Sequence, residues 1–159
     1  MIAHPAIVSR LNRFLGPGWA ENPAHASVNR QGATGTCIHG GPHYGRIHGY
    51  HVRQGQPRTG SQVNFSWCLR DVGTREGGFC LIPASHKMRF PIPVPVTQSI
   101  ELPAVKPIFV RAGDVIFYHG GATCHGVTTW RGEEERRVVL KTALPANFPL
   151  YHYGLEARL

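Results

Sequence analysis

The sequence predicts an all-β domain of the sandwich or jelly-roll type, preceded by one short helix. Glycine and proline are frequent among the 159 residues, with 19 and 13 copies, and charged residues make up only 16%. β-Branched and aromatic residues occur in short runs between turn-forming residues, which is typical of a domain with many short strands. The length suffices for one domain with its own core, so we expect a single domain over residues 1–159.

The N-terminal segment predicts the helix. Ile7, Leu11 and Leu15 recur at helical spacing, and a Gly-Pro-Gly sequence at residues 16–18 ends the pattern. Residues 1–33 are therefore interpreted as a helix and a lead-in to the β domain. The segment lacks the apolar run and cleavage site of a signal peptide, and no apolar run reaches membrane-spanning length. We expect a cytoplasmic protein without a membrane partner.

The rest of the chain is expected to form strands and turns. Between residues 63 and 68 large apolar or aromatic residues alternate with smaller or more polar ones, which predicts a strand with one buried face. The segment FPIPVPV at residues 90–96 contains too much proline for a central strand and is expected at the surface or at a sheet edge. Residues 145–159 are interpreted as a tail packed on the outside. The predicted strands are residues 34–39, 47–53, 62–70, 79–82, 115–118 and 138–140.

Charge and cysteine content narrow the classes of partner. The formal net charge is +8, but the basic residues are scattered and form no stripe, so we expect no nucleic-acid partner and a preference for anionic small molecules. A short domain with apolar termini can also form a homodimer.

The cysteines have no CxxC spacing, and reduced, buried thiols are expected at all four positions, Cys37, Cys68, Cys80 and Cys124.

The stretch from residue 112 to residue 141 contains the residues that are best suited to bind a metal or an anionic ligand. The apolar run Val115–Tyr118 is followed by the pair His125-Gly126 and then by two arginines that open a second β-prone run. A histidine and an arginine on successive strands can face one pocket. There an imidazole can bind a metal and a guanidinium can bind a carboxylate through two hydrogen bonds.

Several motifs then occur in a recognisable order. The segment GGFCLIPASHK at residues 77–87, followed by AGDVIFYHGG, CHG and RR, resembles the phytanoyl-CoA dioxygenase family of iron- and 2-oxoglutarate-dependent oxygenases. The resemblance covers residues 34–141 and departs mildly at Ala84, where glycine is usual. It implies a double-stranded β-helix, the cupin-like jelly roll. It also implies Fe(II) and 2-oxoglutarate as cofactors, and molecular oxygen and a small molecule as the species that react.

The resemblance also implies roles for individual residues. His39 and His125 match the two histidines that bind the metal, and Arg136 matches the arginine that pairs with the far carboxylate of 2-oxoglutarate. Arg137 points to the other face of its strand and is the alternative. Trp67 matches a family aromatic next to the cosubstrate, and Asn64 lies nearby on the same strand and is also expected to bind the cosubstrate. A core aromatic is an equally good interpretation of Trp67.

One ligand of the family pattern is missing. The family carries a carboxylate two residues after its first metal-binding histidine, and this chain has Gly41 there. No acidic residue lies between Glu21 and Asp71, so no small shift in alignment restores the carboxylate. Asp71 and Asp114 lie in turns and are better interpreted as turn-forming residues than as metal ligands.

Three interpretations of the missing ligand stay open. His39 and His125 can hold iron with water or chloride in the third position, since a glycine here resembles the iron- and 2-oxoglutarate-dependent halogenases. His43 can supply a third ligand and give an all-histidine site, as in other cupins. The domain can also have lost the metal and bind a ligand without catalysis.

Overall fold

The computed structural model describes residues 3–21, 23–40, 52–53, 56–57, 62–88 and 102–146. Within these ranges the chain forms one α-helix, α1 (Pro5–Leu15), one 3-10 turn (Ser85–Lys87) and a series of short strands. The strands are β1 (Ala20–Glu21), β2 (His25–Asn29), β3 (Thr36–His39), β4 (Val52–Arg53), β5 (Gln56–Pro57), β6 (Val63–Cys68), β7 (Gly78–Leu81), β8 (Lys106–Pro107), β9 (Val115–Tyr118), β10 (His125–Thr128) and β11 (Arg136–Leu144).

Helix α1 begins and ends where its sequence dictates. His4 is the N-cap, and its Nδ1 atom accepts a hydrogen bond from the backbone N–H of Ala6. Pro5 occupies the first helical position, where its missing N–H costs nothing. Gly16 ends the helix with φ of +80°, a backbone conformation that glycine adopts without strain. The predicted N-terminal helix is confirmed.

Two antiparallel sheets form the body of the domain. The first sheet contains β1 and β2, both paired with β11, followed by β6 and β9, and the second has the order β3-β10-β7-β8. The sheets face each other, because Phe79 of β7 packs against Tyr118 of β9 with ring centroids 4.8 Å apart. The short β4 and β5 strands form a separate two-stranded sheet. The predicted all-β sandwich is confirmed.

Two apolar cores lie on the outer faces of these sheets. Buried residues on one face of β6 and β11 pack against α1 and form the larger core, which consists of Ile7, Leu11, Val63, Phe65 and Ala143. A smaller core covers the outer face of the second sheet and consists of Ile38, Cys80, Val105 and Cys124. Because strand residues alternate in direction, the neighbours of these residues point into the space between the sheets. Many of those neighbours are polar.

The structure corrects several expectations. Cys37 is exposed, so the prediction of four buried cysteines is wrong there, although Cys68, Cys80 and Cys124 are buried and all four are unpaired. The lead-in contains the unpredicted strands β1 and β2, and β11 is longer than the predicted run. The predicted strand at residues 47–53 is described only at its end, in β4. Segment 90–96 and residues 147–159 lie outside the described ranges. No helix in these ranges is long and apolar enough to cross a membrane.

Candidate metal and cosubstrate site

His39 and His125 meet on the inner face of the second sheet. His39 is the last residue of β3 and His125 is the first residue of β10, and the two are direct partners in the antiparallel register. Their ring centroids lie 4.2 Å apart. His125 is buried and His39 is partly buried. Two imidazoles that are distant in sequence are therefore side by side.

Backbone carbonyls hold both imidazoles in the same orientation. Nδ1 of His39 donates to the carbonyl of Cys37 at 2.9 Å, and Nδ1 of His125 donates to the carbonyl of Thr123 at 2.6 Å. A carbonyl can only accept, so each neutral ring carries its hydrogen on Nδ1 and its lone pair on Nε2. This second hydrogen bond is the device that fixes the tautomer of metal-binding histidines.

Gly40 allows the two strands to approach closely beside the histidines. Its φ is +80°, and a Cβ atom there would lie 2.5 Å from the carbonyl oxygen of Thr123 and 3.1 Å from Nδ1 of His125. Any other residue would push against the backbone and the imidazole. Glycine at position 40 is thus locally required for the close approach of the histidine pair.

Arg136 is a buried cation on the inner face of the first sheet. Its Nη1 atom donates to Oδ1 of Asn29 at 3.0 Å, and among the described residues no carboxylate pairs with it. Burial lowers the pKa of the guanidinium, while Cys68 and Tyr118 act in the opposite direction. A buried cation without an anion is costly, so an anionic ligand would stabilise this arrangement.

Arg137 and Glu135 lie outside this interior. Arg137 is exposed, and its guanidinium binds the carboxylate of Glu135 at 2.9 Å, which also binds Arg30. The pKa of the Glu135 carboxyl is lowered, first by its hydrogen bond with Arg30 and then by that with Arg137. Arg136 and Arg137 therefore have the expected opposite orientations. Of the two, only Arg136 points into the space between the sheets, where the histidines lie.

Asn64 and Tyr118 extend the polar interior. Asn64 lies opposite Tyr118 in the β6–β9 register, and its Nδ2 atom donates to the Tyr118 hydroxyl at 3.3 Å. The Tyr118 ring packs edge-on against His125 with centroids 4.8 Å apart. Sequence reasoning identified Asn64 but missed Tyr118 and Asn29. Tyr118 was missed because the apolar run at residues 115–118 does not show which residue points inward. Asn29 was missed because the sequence of β2 has no apolar alternation that would mark a strand.

The structure does not bring Trp67 to this cluster. Trp67 is three positions after Asn64 on the same strand, so it points to the opposite face of the sheet. There it packs against the larger core, with its ring 5.8 Å from that of His4. Its Nε1 atom is buried and has no hydrogen-bond partner among the described residues. The interpretation of Trp67 as a core aromatic agrees with this position.

No third metal ligand is present among the described residues. Within those ranges no group of three or more histidine, cysteine, aspartate or glutamate side chains is arranged to hold a metal ion. Asp71 Oδ1 accepts from the backbone N–H of Ala112, and Asp114 Oδ2 accepts from that of Arg111, so both stabilise turns as expected. Gly41 and His43 lie outside the described residues.

The facing antiparallel sheets, with the histidine pair on an inner face, define a jelly-roll domain of the double-stranded β-helix class. The chain belongs to the phytanoyl-CoA dioxygenase (PhyH) family, whose family model matches residues 1–138. The resemblance seen in the motifs is therefore confirmed. No curated protein sequence matches the chain.

Solved structures share the fold at low sequence identity. HygX from Streptomyces hygroscopicus, solved with nickel, 2-oxoglutarate and hygromycin B, is 20% identical with a TM-score of 0.72, and the match covers 91% of this chain and 63% of HygX. Iron-bound HygX is 21% identical with a TM-score of 0.69, covering 89% and 65%. AviO1 from Streptomyces viridochromogenes Tue57 is 19% identical with a TM-score of 0.63, covering 92% and 60%. The chain thus spans under two thirds of each of these structures, and the likeness shows the fold.

Proposed function

We propose that this domain is an Fe(II)- and 2-oxoglutarate-dependent oxygenase that hydroxylates a C–H bond of a small molecule. The observation that carries the proposal is the pairing of His39 and His125, with their lone pairs on Nε2, in the same interior as the buried guanidinium of Arg136. Membership of the PhyH family supports it, as do fold neighbours solved with iron or with nickel and 2-oxoglutarate.

The residues present fit these cofactors in two respects. Two neutral imidazoles suit a divalent first-row metal that also needs open positions. A buried arginine that pairs with no carboxylate among the described residues suits a dicarboxylate such as 2-oxoglutarate. The bound metal and cosubstrate supply, with molecular oxygen, the oxidising power that the chain itself lacks.

The side chains of the domain have three tasks in this proposal. His39 and His125 hold the metal, and Arg136 holds the far carboxylate of 2-oxoglutarate and so fixes its orientation. Phe79 and Tyr118 pack beside the His125 ring at centroid distances of 5.8 and 4.8 Å and exclude water from that side. Exclusion of water strengthens each charge interaction in the interior.

An anaerobic titration with Fe(II) and 2-oxoglutarate, followed by visible absorption, tests the proposal. A charge-transfer band that requires both ligands is expected in the unmodified protein and in Arg137→Ala, whose side chain lies on the other face. The band should disappear in Arg136→Ala. It should weaken in Arg136→Lys, which keeps the charge but cannot bind a carboxylate through two parallel hydrogen bonds. Far-UV circular dichroism checks that each variant folds. No band in the unmodified protein overturns the proposal and favours a non-catalytic binding domain.

A second candidate function follows from Gly41. Because no acidic residue lies between Glu21 and Asp71, the ligand position that the family fills with a carboxylate is open to chloride, as in the related halogenases. The same titration with and without chloride separates the candidates. A shift of the band on adding chloride supports halide binding, and an unchanged band supports water or another ligand, with hydroxylation as the reaction.

A further inference from the structure

A row of four side chains crosses the second sheet at the level of the histidine pair. His39 is the register partner of His125, and His125 is also the partner of Leu81 on β7. Leu81 is in turn the partner of Lys106 on β8. Directly opposite residues on antiparallel strands point to the same face of their sheet. Lys106 is therefore on the face that carries the two imidazoles.

The alternation along β7 agrees with this orientation. Cys80 belongs to the smaller core on the outer face of the sheet. Phe79, one residue earlier, packs beside the His125 ring on the inner face. Leu81 follows the same alternation and points inward, and its partner Lys106 does likewise. Lys106 is exposed, and no carboxylate in the described part of the chain pairs with its ammonium.

Lys106 and Arg136 lie at different levels of the interior. The Arg136 guanidinium runs beside Gly78, where a Cβ atom would lie 3.1 Å from its Nε atom. Gly78 is three residues before Leu81 on β7, which corresponds to roughly 10 Å along a strand. Lys106 is one strand further away. The lysine is therefore at the level of the histidines, and the cosubstrate assigned to Arg136 does not account for it.

We propose that Lys106 binds an anionic group of the substrate, which is then a small molecule that carries a carboxylate or a phosphorus oxyanion. The inference rests on the proposed function. Neighbouring strands are about 4.8 Å apart, so the Lys106 backbone is about 10 Å from that of His125. The apolar side chain of Leu81 lies between them. An apolar segment of the substrate over Leu81 brings the C–H bond to the histidines and the anionic group to the ammonium, which forms charge-assisted hydrogen bonds with it.

Paramagnetic relaxation shows whether an anion binds at this distance from the metal site. An excess of protein is loaded with Mn(II) in place of Fe(II), and saturating 2-oxoglutarate occupies Arg136. Loss of the electron paramagnetic resonance signal of free Mn(II) shows that the ion is bound. Methylphosphonate is then added, and the relaxation of its phosphorus nucleus gives its distance from the bound ion. We expect roughly 10 Å, two strand spacings, and no specific effect on the neutral dimethyl ester.

Three variants connect this relaxation to Lys106. Lys106→Met keeps the length of the side chain and removes its charge, so the effect on methylphosphonate should fall to that on the neutral ester. Lys106→Arg keeps a cation and should retain most of the effect. Arg13→Ala removes an exposed cation from α1, which packs on the other sheet, and should change nothing. Far-UV circular dichroism and the Mn(II) signal check the fold and the metal site of each variant.

The kind of anion and the failure of the inference are both readable from these data. Acetate compared with acetamide, followed through the methyl protons, shows whether a carboxylate binds in preference to the phosphonate, and a Lys106-dependent effect on either anion supports the inference. Equal relaxation of both anions in the unmodified protein and in Lys106→Met overturns it and leaves the proposed function intact. Lys106 would then only guard β8, the last strand of this sheet in the described ranges, against pairing with another chain. If the unmodified protein binds no metal ion, the proposed function and the inference both fail.

Discussion

His39 and His125 are register partners on neighbouring antiparallel strands, and their imidazole rings lie 4.2 Å apart. Each ring donates its Nδ1 hydrogen to a backbone carbonyl two residues before it in the chain, at Cys37 and at Thr123. The identical local geometry leaves Nε2 as the lone-pair atom of both rings. The strand pairing therefore presents two equivalent nitrogen donors from one sheet.

Substitution of either histidine should strongly weaken metal binding. His39→Ala and His125→Ala should each reduce Fe(II) affinity by more than the roughly 10–100-fold that loss of an outer hydrogen-bond partner costs, because a ligand itself is removed. His86→Ala, which changes an exposed histidine on the 3-10 turn, is the matched control. Isothermal titration under nitrogen measures the three affinities. Equal Fe(II) binding in His39→Ala and the control would contradict the assignment of His39.

Strand periodicity explains which site residues the sequence reveals. Adjacent strand residues point to opposite faces, and this rule predicts the opposite orientations of the buried Arg136 and the exposed Arg137. The family resemblance, not the alternation, indicates that Arg136 is the one that points inward. The same rule argues against placing Asn64 and Trp67 in one pocket, since they are three positions apart on β6. The apolar run 115–118 contains no alternation, so the inward orientation of Tyr118 becomes visible only when β9 is paired with β6.

The other site residues are brought together by pairing between strands that are distant in the sequence. The contact between β3 and β10 joins segments that no local pattern links, and only the family resemblance led to His39. Asn29 lies on β2, whose sequence HASVN has neither apolar alternation nor a turn signal that would mark a strand. Its hydrogen bond with Arg136 depends on the β2–β11 register and is not readable from composition.

Gly120→Ala should disturb the amide of Asn64. A Cβ atom at position 120 would lie 2.6 Å from Nδ2 of Asn64, closer than real contacts allow. We expect a loss of stability of about 1–3 kcal/mol from this overpacking. Chemical denaturation of Gly120→Ala, Asn64→Ser and the double variant forms a mutant cycle. In the Asn64→Ser background the cost of the added methyl should shrink, whereas full additivity would show that the two sites do not touch.

Trp67→Phe should leave cosubstrate binding unchanged. Trp67 faces α1 rather than the histidine pair, and its buried Nε1 has no partner among the described residues. Phenylalanine keeps most of the packing and removes an unsatisfied donor, so the free energy of unfolding should change by less than about 1.5 kcal/mol. Trp67→Ala, in contrast, should destabilise by ~3 kcal/mol or more through lost packing. A large loss of 2-oxoglutarate affinity in Trp67→Phe would show that Trp67 takes part in cosubstrate binding.

Alkylation should distinguish Cys37 from the other three cysteines. Cys37 is exposed, whereas burial raises the pKa of Cys68 and Cys124 and raises that of Cys80 to about 11. Only a thiolate reacts rapidly, so the native protein treated with iodoacetamide near pH 8 should gain one adduct by mass spectrometry. Cys37→Ser should gain none until it is unfolded, when the other three react. Rapid modification of Cys80 in the folded protein would contradict its burial.

His119 should make the domain less stable in mild acid. Burial, followed by the nearby His86, lowers the pKa of the His119 imidazole. The unfolded chain takes up a proton near the ordinary histidine pKa of about 6.5, and the folded chain does so only at lower pH. The contribution of neutral His119 to folding is therefore complete above that pH and is lost as the pH falls towards the folded pKa.

The free energy of unfolding of His119→Gln, measured by urea denaturation from about pH 7.5 to 5.5, should fall less steeply than that of the unmodified protein, because one titrating group is absent. His25→Gln changes an exposed histidine and should retain the original slope; equal slopes in all three proteins would show that His119 is protonated equally in the folded and unfolded chain.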